Sequence, residues 1–146
     1  MAEQHFSKRD KEKIKAAIEE AELNTSGEIR VHLENHCKAK NVLDRAAQVF
    51  ADLNMHKTDA RNGVLIYMAV VDHKFAIIGD GGINAQVEED FWDITKEKMV
   101  KHFKQGDMTQ GIVEGILCAG ERLKKFFPYQ TDDKNELSDD ISFGKD

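Results

Sequence analysis

One proline, two cysteines and no apolar run near the ~20 residues of a membrane span exclude several protein classes at once. Cys37 and Cys118 stand alone, without CxxC spacing or a histidine cluster, so neither a disulfide framework nor a thiolate zinc site is indicated. Residues 1–15 carry no apolar signal-peptide core, which points to the cytoplasm. Positive charge is outnumbered, 21 Lys and Arg against 27 Asp and Glu. The formal net charge is −6, with Lys and Arg scattered over helix faces, so no field draws a phosphate backbone and nucleic acid is not expected as a partner. What is present, 40% hydrophobic residues in a chain of 146, is enough for one domain with a core that needs no staples.

Taken along the chain, Ser7 and Asp10 resemble a capped helix start, and Ile14, Ala17, Ile18 and Ala21 recur at the spacing of one buried helical stripe. The helix stops at Asn24, Thr25, Ser26 and Gly27, a cluster of turn formers whose glycine can take positive φ. Over residues 28–34, Ile29, Val31 and Leu33 alternate with Arg30, His32 and Glu34, the pattern of a strand with one apolar face. Val42, Leu43, Ala46, Ala47, Phe50 and Leu53 return to helical spacing. The apolar run 64–71 does not alternate, as expected of a central strand covered on both faces. Strand, helix, strand is a crossover, so these two strands should be parallel.

Val71, Asp72, His73 and Lys74 make a hairpin connection that turns the next strand, 75–78, antiparallel to the central one. Its far end is Gly79, Asp80, Gly81, Gly82, where glycines allow unusual dihedrals around an acid. Strand direction then places Asp80 at the same sheet edge as Asp59 and Asn62. A third helix is predicted to open in the acidic turn 88–90, near Asp80, and to bury Phe91, Trp92 and Phe103; a last one runs from Asp107 to just before Pro128. Gly111, Gly115 and Ala119 on that helix predict close approach of another backbone. Residues 1–128 read as a single domain and 129–146 as an acidic tail. Ile141 and Phe143 share one face of an extended segment, so the tail is either solvated or laid along the sheet as an edge strand.

The segments Thr25 to Val31 and Asn62 to Tyr67, the strand ending at Asp80, Asp90-Phe91-Trp92, Gly106-Asp107 and Phe126-Phe127-Pro128 together resemble the TPM domain family, in its stand-alone bacterial form. That resemblance implies a three-layer α/β/α sandwich with a small mixed sheet of about four strands. Only three strands are legible in the sequence. It also implies divalent-cation binding, calcium or magnesium, at acidic loops on one sheet edge, with a metal-responsive regulatory or protein-interaction role; a plant member of the family is described as an acid phosphatase. The acidic-loop pattern falls on Asp59, Asp80 and the turn 88–90.

Hard divalent ions take oxygen ligands, and Asp59, Asn62, Asp80, Asn84, Glu89 and Asp90 are the expected supply. Without a cation, the same acids serve as a turn cap, a loop residue and a helix start. Cys37 lacks the following arginine of a cysteine phosphatase and no DxDxT nucleophile occurs, so phosphatase chemistry would be metal-assisted, with Asp80 or Asp59 orienting water. His56, beside Asp59, is a general-base candidate or an exposed histidine; His73 belongs to the opposite edge. The third reading is a purely structural domain that binds an unidentified protein partner.

Overall fold

A computed structural model describes residues 1–130 and 135–145. After a short 3₁₀ turn at Ala2–His5 the elements are α1 (Lys8–Glu22), β1 (Glu28–Glu34), α2 (Val42–Asp52), β2 (Gly63–Ala69), β3 (Lys74–Gly79), α3 (Gly81–Asn84), α4 (Asp93–Lys104), α5 (Met108–Leu123) and β4 (Ser142–Phe143). The sheet order is β3-β2-β1-β4, with β2 parallel to β1 and antiparallel to β3, and β4 parallel to β1. β4, two residues long, takes the second of the two alternatives for the tail, an edge strand beside β1.

The unalternating run has its physical cause in this order. Every residue of β2 is buried, because strands flank it and helices cover both faces. Val64, Ile66 and Met68 join Ile29, Val31, Leu33 and Ile77 in a core closed by α1, α4 and α5; Leu65, Tyr67, Ala69 and Ala76 face the other way, against Ala46 and Val49 of α2. Fully burying a side chain of this size contributes ~1.5–3 kcal/mol each, so the sheet is where stability concentrates.

The helices follow their local signals. Ser7 Oγ accepts from the Asp10 amide and Asp10 Oδ2 from the Ser7 amide, each at 3.0 Å, a reciprocal cap. Close packing on α5 is real: a Cβ at Gly111 would lie 2.4 Å from Phe103, at Gly115 2.5 Å from the Met99 sulfur, and at Gly120 2.8 Å from Ala21. Two expectations need correction. α4 starts at Asp93, because Phe91 N–H to Glu88 O and Asp93 N–H to Asp90 O, both 3.0 Å, close tight turns over 88–92 before the helix proper. Neither Gly27 nor Gly79, Gly81 or Gly82 has positive φ; among the described residues the left-handed positions are Asn54, Arg61, His73 and Gly106. Gly82 is instead required by space, since a Cβ there would sit 2.2 Å from Ala60 O. No helix among the described residues is long and apolar enough to cross a membrane.

Candidate functional site

At the end of β3 the chain turns into α3, and Asp80 is the cap: its side chain accepts from the Gly81 amide at 2.7 Å. Arg61 sits opposite, at φ 51°, a conformation that costs an L-residue strain and that aims its side chain back at the cap. Its Nε and Nη2 each donate to one Asp80 oxygen at 2.8 Å, a bidentate pair. Burial alone would raise the Asp80 carboxyl, but the Arg61 guanidinium and the Gly81 amide outweigh it and hold the group below the usual carboxylate range. Asp80 is 6% exposed while its partner's side chain is 55% exposed. The carboxylate is buried; the cation on it is exposed to solvent.

Asn62 lies beside this pair and is almost wholly buried, 4% exposed. Its backbone N–H donates to Thr58 Oγ1 at 3.3 Å and its Nδ2 to Ser26 O at 3.0 Å, yet its Oδ1 has no partner among the described residues. A buried acceptor without a donor costs ~1–3 kcal/mol.

Of the other expected ligands, Asp59 is exposed and its amide donates to Glu136 Oε2 at 3.3 Å. Asn84 is exposed and spends its Nδ2 on Gly79 O at 3.1 Å. Asp90, with Glu88, lines a separate recess of about 570 Å³ with Phe91, Arg122 and Lys125; Glu89 is exposed next to it in sequence. Among the described residues no three His, Cys, Asp or Glu side chains converge where one ion could sit. The structure thus joins Asp80 to Arg61, and the acids among the expected ligands form no ion-holding group of three within the described residues. His56 is exposed and His73 occupies the hairpin at φ 56°.

Two polar clusters lie elsewhere, at opposite ends of β1. At its C-terminal end Glu34 is fully buried and accepts from Arg45 Nε and Nη2 at 2.9 Å each, from the Tyr67 hydroxyl, and from His32 Nε2 at 3.2 Å; His32 Nδ1 in turn meets Ser142 Oγ at 2.8 Å. Burial would raise Glu34, but Arg45, Tyr67 and His32 bring it down to about 2. The ionised carboxylate can only accept, so the proton of neutral His32 sits on Nε2 and Ser142 donates to Nδ1. At the N-terminal end, Glu28 Oε1 accepts from the Leu137 amide at 2.7 Å and Glu22 Oε2 from the Ile29 amide at 3.2 Å. Here burial dominates and raises both acids, Glu22 to about 9 with Asp139 against it. Sequence reading missed both clusters. The alternation Arg30, His32, Glu34 is the signal, once the polar face of β1 is known to be covered by α2 and the tail.

The order of strands, the layers and the acidic loop ends define an α/β/α domain of one family: residues 2–122 match the TPM domain, and the chain belongs to it. Among solved structures, it is similar to the BA42 protein of the psychrophilic bacterium Bizionia argentinensis, 50% identical over 95% of each chain with a TM-score of 0.89. More distant likenesses show the fold alone. The N-terminal domain of a P. gingivalis protein is 16% identical, covering 84% of this chain and 78% of that one, with a TM-score of 0.68. The N-terminal domain of the cg2496 protein from Corynebacterium glutamicum is 13% identical, covering 97% and 81%, with a TM-score of 0.63. No curated protein matches the chain.

Proposed function

We propose that this TPM domain is a divalent-cation-binding module, calcium or magnesium being taken up at the loops around Asp80 and altering how the domain presents that edge to a partner. The observation that carries the reading is the Arg61–Asp80 pair: a buried, ionised carboxylate whose bidentate counter-charge is an exposed side chain. The donor types in these loops suit a hard ion. Asp80 supplies charge, Asn62 Oδ1 is an unused neutral oxygen, and Asp59 and Asn84 stand exposed on the flanking loops. Glu89 and Asp90 drop out of this ligand set, since Asp90 belongs to the recess with Arg122. The ion would supply the positive charge that Arg61 now supplies, freeing the guanidinium for solvent or for a partner.

Calorimetric titration of calcium and of magnesium into the wild type and Arg61→Gln tests this. The expected result is binding in both, about tenfold or more tighter in the variant because a competing charge is gone, and none in Asp80→Asn. Absence of heat and of amide shifts at millimolar ion in wild type and variant alike would sink the reading. Hydrolysis of an aryl phosphate that disappears in Asp80→Asn would extend it to metal-assisted phosphatase chemistry.

A further inference from the structure

His32 stands between a hydroxyl and a carboxylate. Ser142 Oγ lies 2.8 Å from its Nδ1, and Glu34 Oε1 lies 3.2 Å from its Nε2. The ring is also stacked on Tyr67, with centroids 6.0 Å apart and planes at 10°, which fixes its orientation. Because Glu34 is ionised, Nε2 carries the proton and Nδ1 faces the serine as a base. Burial, joined by Arg45 and Arg30, outweighs the pull of Glu34 and holds the imidazole below its usual range, so it is neutral at neutral pH. Exposure is graded along this row: Glu34 is fully buried, His32 is 6% exposed, and Ser142 is half-buried on β4, the outermost strand of the sheet. A fourth group lies alongside. Arg30, two residues before His32, shares its face of β1, and its Nε is buried without a partner among the described residues.

We infer that Ser142 is a nucleophile, activated by His32, that takes the acyl group of small carboxylic esters arriving at the open edge of β4 and passes it to water. Ser142 Oγ adds to the ester carbonyl carbon while its proton passes to His32 Nδ1, and Glu34 stabilises the imidazolium that forms. Arg30 donates to the carbonyl oxygen as that oxygen gains negative charge. The bond from the carbonyl carbon to the alcohol oxygen then breaks, and the alcohol leaves with the proton from Nδ1. Water, deprotonated by the same nitrogen, releases the acid and restores Ser142. Ser142, His32 and Arg30 are the catalytic groups; Glu34 is a positioning residue. No step involves Asp80 or a divalent ion, so acyl transfer and cation uptake stand or fall separately.

The test treats the full chain with nitrophenyl acetate. Nitrophenol release should be accompanied by an acetyl group on Ser142, located by peptide mass mapping after acid quench. Ser142→Ala should abolish that acetyl group, and Ser142→Cys should keep acylation at the same position. His32→Gln and Arg30→Gln should each slow acylation by about a hundredfold in chains whose amide spectra show the fold intact. The wild-type rate should rise with pH along one ionisation below 6.5 and then level, that ionisation belonging to His32 among Glu34, Arg45 and Arg30; Glu34→Gln should move it lower still. Chelation of divalent ions should leave the rate unchanged. Acetyl groups on lysines alone, nitrophenol release unaltered in Ser142→Ala, or a folded His32→Gln chain acylated at the wild-type rate would each overturn the inference and leave Ser142 as a structural hydrogen bond between β4 and β1.

Discussion

Carboxylates at the two ends of β1 are withdrawn from water and treated in opposite ways. At one end Glu34 meets Arg45, Tyr67 and His32 and stays ionised, its carboxyl near 2; at the other, Glu22 meets Asp139 and Glu28 and holds its proton to about 9. Burial pushes both carboxyls up, and only donating partners, as at Glu34, overcome it; a chain can place a satisfied and a frustrated acid at the two ends of one strand.

The contrast can be broken most severely at Glu34. Arg45→Ala leaves a buried charge with its principal donor gone and should cost about 3 kcal/mol in urea unfolding, with the m-value unchanged. Acid sharpens it next. Because the folded-state carboxyl lies near 2 against an ordinary 4.5, the stability Glu34 contributes is full above 4.5 and lost as pH falls toward 2. The melting temperature of the wild type should fall steeply across that window, and that of Glu34→Gln less so.

At the frustrated end the sign reverses. Glu22 has a folded-state value near 9, so the native state binds a proton that the unfolded chain has lost above 4.5, and stability declines as pH rises through that interval. Glu22→Gln, which keeps an oxygen for the Ile29 amide, should therefore melt several degrees higher than wild type near pH 9 and level with it near pH 4; equal melting at both would show that Glu22 is not protonated. The smallest effect belongs to the pair in solvent: Lys15→Ala should leave the melting temperature unchanged within error.

Most of the fold was legible because its signals are local. Ser7 with Asp10, the stripe Ile14 to Ala21, the bare run 64–69 and the turn at His73 each encode their element within a few residues. β4 was legible only as one of two alternatives for the tail, because Ser142 and Phe143 form a strand only by meeting His32 and Leu33, more than a hundred positions away. The candidate site was legible in its residue types rather than its pairings. Asp80 stands out among glycines, but nothing near it in sequence announces that Arg61, left-handed and a strand away, would take its carboxylate. Glu34 and Glu28 read as the polar side of a half-exposed strand; only the covering by α2 and by the tail makes them buried acids.

Trp92, the one tryptophan of the chain, sits 8% exposed with its ring edge-on to Phe91, centroids 4.7 Å apart, in the layer closed by α4 and α5. Its emission is therefore a lamp in one half of a two-sided core: it reddens when that layer opens and is dark to events around Tyr67 beneath α2. Placed beside amide exchange at β2, which both layers protect, fluorescence separates the unfolding of one side of the sheet from the unfolding of the whole.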